Sequence, residues 1–210
     1  MPTRLPNPAP ASAALPRKRP LQSRAVATVA AIVEAAAHIL EKDGLDGYST
    51  NAIAERAGVS IGSLYQYFPN KDAITRALIA RESQSLIDAV ATVAQTEDWC
   101  ATITDMIRVA VDHQLRRPRL ARLIDVEESR LTGPASEVDT ASGLMVLVRP
   151  VIARFGIKPR ECLDDIVADI LTITRALSDA AGSRQEVDRT ALERRIRRAV
   201  LGYLEFDMHA

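Results

Sequence analysis

The stretch from Ser49 to Lys71, STNAIAERAGVSIGSLYQYFPNK, decides how the rest of the chain is read. It predicts two short helices around a tight turn, followed at once by the start of another helix. Ile53, Ala54, Val59, Leu64 and Phe68 fall where such a small unit needs apolar contacts. Gly58 sits just past the first short helix, where a left-handed residue is needed and glycine takes it without steric cost. Ser60 then caps the second helix, its hydroxyl accepting from free backbone N–H groups. The pattern is a helix-turn-helix, the unit that lays its second helix in the major groove of DNA.

On the N-terminal side, Val26, Val29, Ala30, Val33, Ala36, Ala37 and Leu40 recur at helical spacing. They predict one amphipathic helix from about Ser23 to Lys42, ended by Asp43-Gly44. His38 within it reads as a packing or surface residue, and Leu45 and Tyr48 are expected to close over the helix-turn-helix core. Ser49 is the expected N-cap of the next helix, although Ala52 stands where a capping box carries an acid. Residues Met1 to about Pro20 hold Pro2, Pro6, Pro8, Pro10, Pro16 and Pro20, the composition of a disordered arm. Arg4, Arg17, Lys18, Arg19 and Arg24, with no acid before Glu34, also suit that arm to phosphates or a minor groove.

On the C-terminal side, Asn70 caps a helix whose first turn carries Lys71. A cation there opposes the helix dipole, which suits a bound phosphate; the alternative is a solvated lysine. Ile74, Ala77, Leu78, Leu86, Ala89, Val90 and Val93 keep the period with no Gly or Pro before Asp98, predicting one long rigid connector. Trp99 to Leu115 and Pro118 to Arg130 follow as helices, then a loop from Thr132 to Ser136. Leu144, Leu147, Val148, Val151, Ile152 and Phe155 mark another helix, where Pro150 predicts a kink or a late start. Leu163, Ile166, Val167, Ile170, Ile173, Thr174 and Leu177 form the apolar face of the next. Thr190-x-x-Glu193 reads as a capping box opening the last helix, along which Leu192, Ile196, Ala199, Val200 and Tyr203 align.

With 210 residues, 47% of them hydrophobic and only 4% aromatic, the chain has enough apolar mass for a core and favours helices over strands. The fold class is all-α. The formal net charge is zero, so any basic surface for nucleic acid must be local. Cys100 and Cys162 are expected as two buried thiols in a reducing cytosol rather than a disulfide. No apolar run is expected to reach the roughly 18–20 residues of a membrane span, and the N-terminus has no secretory pattern, so the expected location is cytoplasmic. There is no Gly-rich phosphate loop, metal-ligand cluster or nucleophile elbow, and His38, His113 and His209 are scattered. The carboxylate pairs Glu127-Glu128 and Asp164-Asp165 would splay on a helix. An enzyme is therefore not expected, nor a cofactor or metal.

Ile53-Ala54-Glu55-Arg56-Ala57-Gly58-Val59-Ser60 and Gly62-Ser63-Leu64-Tyr65-Gln66-Tyr67-Phe68-Pro69-Asn70-Lys71 closely resemble the TetR family of bacterial transcription regulators. The resemblance is specific from about Arg24 to Leu78; beyond it only the number and order of helices agree. Ala52, often polar in the family, and the proline-rich lead depart from the pattern. The resemblance implies an arm over 1–21, a three-helix DNA-binding head over 22–70, and a helical effector-binding and dimerisation domain over 71–210. It implies a homodimer joined through the last two helices, bound to double-stranded palindromic operator DNA and released by a small-molecule effector of unknown identity. A regulator without a small-molecule pocket, controlled by a protein partner, is the alternative.

Carried onto this sequence, the recognition helix runs from Ile61 to Phe68. Tyr65 and Tyr67 match phosphate-contacting aromatics, Gly62 allows close approach, and Ser63 and Gln66 are the candidate base readers. Ser49, Thr50 and Lys71 would anchor phosphates from the flanking helices; Ser60 belongs to the same surface, and Ile61 is either a thymine-methyl contact or packing. Candidate pocket residues are Trp99, Met106, His113, Met145, Phe155 and Arg175, with Asp169 or an acidic ligand expected to neutralise Arg175.

Overall fold

A computed structural model of the chain describes residues 20–94, 98–131, 140–154 and 162–209. The described elements are all helical: α1 (Pro20–Gly47), α2 (Thr50–Ala57), α3 (Ile61–Tyr67), α4 (Lys71–Val93), α5 (Trp99–Arg116), α6 (Pro118–Leu131), α7 (Thr140–Ala153), α8 (Leu163–Ser183) and α9 (Arg189–His209). Of the arm expected over 1–21, residues 1–19 lie outside the described residues, as do the loop from Thr132 to Ser136 and Phe155; α1 already begins at Pro20, inside the arm's expected bound and ahead of Ser23.

Two apolar cores organise these helices. The first is the head, where Ile32, Ala36 and Leu40 of α1 meet Ile53 of α2, Leu64 of α3 and Ile74 of α4. Each is fully buried, and each of the Ile and Leu side chains contributes about 1.5–3 kcal/mol. The second is the body, where Ile103, Ile107 and Val111 of α5 pack with Ile152 of α7, Ile166 and Ile170 of α8, and Leu192, Ile196 and Val200 of α9. Helix α4 serves both, giving Ile74 and Leu78 to the head and Val90 to the body. This is the rigid connector the long unbroken period predicts.

The predicted elements hold, with local corrections. Gly44 does break α1, at φ 71°, but one further helical turn carries the chain to Gly47. Tyr48 is buried as expected, whereas Leu45 is 40% exposed, because it follows the break on its outer side. The stripe of α1 outruns its core: Val26 is 65% exposed and Ala30 is also exposed. Between Ser23 and Gly47, α1 is long and apolar enough by composition to cross a bilayer, against the sequence expectation. Here that apolarity fills the head. Cys100 is only half-buried, and Cys162 is exposed just before α8, so neither is the buried thiol expected; both are free. Pro150 lies within α7, which starts at Thr140 and not late.

The last helix opens earlier than Thr190-x-x-Glu193 suggests. Asp188 Oδ1 accepts from Ala191 N at 2.9 Å and its carbonyl from Leu192 N at 3.1 Å, making Asp188 the cap and leaving Thr190 inside the first turn. Both residue types are good caps, and spacing alone does not choose between them. Asp188→Ala is expected to cost about 1 kcal/mol in chemical denaturation, while Thr190→Ala stays within about 0.5 kcal/mol.

Candidate nucleic-acid interface and internal cavity

Three local caps shape the DNA-facing surface. Ser49 Oγ accepts from Ala52 N at 3.3 Å and opens α2. Gly58, at φ 68°, closes it, with Gly58 N donating to Glu55 O and Val59 N to Ala54 O. Ser60 Oγ accepts from Ser63 N at 3.0 Å to open α3, and the two hydroxyls lie 2.8 Å apart. Ser60 and Ser63 are thus engaged with one another, Ser60 chiefly as a cap. Leu64 anchors α3 at zero exposure, and Phe68 closes the same core.

The opposite side of α3 presents Ile61, Gly62, Tyr65, Gln66 and Tyr67 outward, with Tyr65 half exposed. A Cβ on Gly62 would meet only Ser60 Oγ, at 3.9 Å, so packing within the fold does not require glycine there. Thr50 Oγ1 lies 3.3 Å from the Tyr65 hydroxyl, joining the first turn of α2 to α3 and setting two of the candidate phosphate contacts side by side. Lys71 is placed differently from a solvated lysine. Its Nζ donates to the Tyr48 carbonyl at 3.4 Å and sits 5.5 Å from the centre of the Tyr48 ring. Neighbouring Asp72 supplies the negative charge that the start of α4 favours. The dipole therefore gives no separate reason for a phosphate at Lys71.

No charged residue lies between Ile61 and Tyr67. Over 22–70 the cations are Arg24, Lys42 and Arg56, against Glu34, Glu41, Asp43, Asp46 and Glu55. The reading face is polar and aromatic rather than basic.

Behind the head lies a cavity of about 410 Å³, walled by α4, α5, α6, α7 and α8. This is within the size range of small-molecule sites. Of the residues the sequence suggests, His113, Met145 and Arg175 line it; Trp99 and Met106 do not. The cavity meets α5 only toward its C-terminal end, at Ala110, His113 and Gln114, while Met106 is buried in the body core. Burial holds the His113 imidazole below its ordinary pKa, so it is neutral at pH 7.

Arg175 finds its partners elsewhere than Asp169. It donates to Glu128 Oε2 at 2.8 Å and lies 3.7 Å from Asp179 and 4.0 Å from Asp125. Asp169 is six residues away and so on another side of α8, where it accepts from the Tyr203 hydroxyl at 2.8 Å. Asp179, four residues on, shares the face of Arg175. Glu127 and Glu128 do splay: Glu127, 4% exposed, accepts from Arg130, and Glu128 turns to the cavity. Asp125, Glu128 and Asp179 are the acids sequence reasoning missed; the i, i+3 and i, i+4 spacings flanking Arg175 on two separate helices were the available signal. Burial, and next the charge of Asp179, push Asp125 up to about 6. Burial also raises Asp179, against the pull of Arg175.

An outward-facing second helix, seated on a tight turn over its own core, defines a helix-turn-helix DNA-binding protein. Residues 32–78 match the family described as bacterial regulatory proteins, tetR family. The match covers the helix-turn-helix and the start of α4. The nucleoid occlusion factor SlmA of Actinobacillus pleuropneumoniae serotype 5b (strain L20) is 30% identical over 84 residues, 40% of this chain and 42% of that protein. The HTH-type transcriptional repressor DrrR1 of Streptomyces coeruleorubidus is 30% identical over 128 residues, 59% of this chain and 44% of that protein. The chain thus spans less than half the length of these curated relatives. The transcriptional regulator FadR of Bacillus subtilis, solved in complex with stearoyl-CoA, shares the fold at a TM-score of 0.70 and 17% identity, over 81% of this chain and 96% of that one.

Ionised Asp125 is a cost to the fold. Because its folded pKa is raised, that cost is present above pH 6 and fades as the group takes up a proton toward pH 4. Asp125→Asn should raise Tm at pH 7.5 by about 2–4 °C, roughly 1 kcal/mol after discounting for solvent exposure, with the gain vanishing near pH 4. Calorimetry at the two pH values checks this. Gln66→Ala should relax base preference at one symmetric position per half-site, at about 1–3 kcal/mol, read by selection from a randomised operator library.

Proposed function

We propose that the chain is a ligand-responsive transcriptional repressor that acts in the cytoplasm. It binds palindromic operator DNA as a homodimer through α3 and is released when a small molecule fills the cavity. One observation carries the reading: Leu120 of α6 is buried in the head core and also lines the cavity. The same helix is tied to the head at both ends. Arg117, at its start, donates to Glu41 at 2.8 Å and to Glu34 at 3.4 Å; Arg119 donates to the Lys42 carbonyl at 2.9 Å, and Arg130 to Asp72 at 2.6 Å. A ligand that moves α6 moves the head, and it shifts the balance of states only by binding one of them more tightly.

On the operator side, Tyr65, Tyr67, Ser49 and Thr50 would bond phosphates, and Ser63 and Gln66 would read bases, with Gly62 allowing close approach. Lys71, bound to Tyr48, would set the α1–α2 connection and meet a phosphate from there. The cations Arg4, Arg17, Lys18 and Arg19 would supply the phosphate neutralisation that α3 lacks. A second copy would pack on the outward faces of α8 and α9, where exposed Asp165 on one helix complements exposed Arg194, Arg197 and Arg198 on the other. Two heads would then span half-sites about 34–36 Å apart.

Footprinting on the DNA flanking the gene, with light scattering of the purified protein, is expected to return a two-fold symmetric protected site and a dimer. A monomer that ignores palindromic duplexes at low salt would sink the proposal. Arg117→Ala is expected to keep operator binding while shrinking effector-driven release at least about fivefold, read by gel shift with the compounds that raise Tm.

A further inference from the structure

Charges in the cavity wall do not balance. The lining holds Arg117 and Arg175 against Glu82, Asp125, Glu128 and Asp179. Arg117 is bonded to Glu41 and Glu34 of α1, and Glu82 accepts from Arg81. Arg175 is bonded to Glu128. Asp125 and Asp179 are left to share that same guanidinium at 4.0 and 3.7 Å. Two partly buried carboxylates therefore lack a cation of their own, and their mutual repulsion is part of what raises the Asp125 pKa. On α5, His113 Nδ1 and Gln114 Nε2 are buried without a hydrogen-bond partner; Arg117 Nη2, also buried without a hydrogen bond, is ion-paired to Glu41 at 2.6 Å. Much of the remaining wall is apolar, with Ile79, Leu86, Ile124, Leu144 and Met145. An anion entering here meets guanidinium groups that are already ion-paired, Arg117 to Glu41 and Arg175 to Glu128, whereas a cation relieves both carboxylates.

We propose that the effector is an organic cation, an apolar body ending in a protonated amine or guanidinium that sits between Asp125 and Asp179. The body lies along the α4 and α7 walls, and the buried amide and imidazole of Gln114 and His113 bond any polar group it carries. This rests on the cavity being the effector site.

The probes are 6-phenylhexylamine, 6-phenylhexanol and 6-phenylhexanoate, which share one body and differ in the head group. Titration calorimetry of the full-length protein at pH 7.5 is expected to give the amine at least about tenfold tighter than the alcohol, the margin of a charge-assisted contact over a neutral one, with the carboxylate weakest. Asp125→Asn combined with Asp179→Asn should remove the amine's advantage and bring it to the level of the alcohol. In the unsubstituted protein the amine's advantage should shrink from pH 7.5 to pH 5 as Asp125, faced by Glu128, Arg175 and Asp179, takes up a proton; this series stands even where the double variant misfolds. Carboxylate binding as tight as the amine overturns the cation inference and leaves the effector reading intact. Binding of none of the three overturns both.

Discussion

Leu120 couples the two halves of the molecule. Its side chain, 1% exposed, completes a core otherwise built from the first four helices, yet it stands on α6, 42 residues beyond Leu78. Removing such a side chain opens a void whose cost is about 2–5 kcal/mol. The polar ties at the two ends of α6 add direction to that apolar contact. Arg117 and Arg119 hold its start against α1, and Arg130 holds its end against the first turn of α4. The head is therefore clamped by a helix whose other side lines the cavity.

Electrostatics divides along the same line. Facing the head, every arginine of α6 named above has a carboxylate or carbonyl partner. Facing the cavity, carboxylates outnumber guanidinium groups, and Asp125 is held near 6 by its surroundings. Ordinary surface pairs are worth little. The cavity acids are different because partial burial and mutual repulsion act on them together, which makes the site sensitive to the sign of whatever enters.

The sequence carried the local features well. Ser49, Ser60 and Asn70 each cap the helix they precede, and Gly58 takes the left-handed turn, because a cap depends on residues three or four apart. Leu64 and Phe68 were legible as core for the same reason. The cavity was not. Met106 and His113 lie on one helix within two turns, and only the position of α8 makes one core and the other wall. Helical phase already favoured Asp179, four residues from Arg175, over Asp169, six away; the approach of Asp125 and Glu128 on α6 was not legible. The reach of α1 beyond its core was also hidden, since Val26 fits the stripe yet is largely exposed among the described residues.

The double duty of α6 restricts how such a protein can diverge. Substitutions at Leu120 or Ile124 that reshape the chamber also disturb packing under the head, and selection on operator binding will filter them. Leu144 and Met145 on α7, and Leu171 and Thr172 on α8, border the same chamber without touching the head core. New chemical tastes should arise on those two helices first, so that a lineage can change what it senses while keeping what it reads.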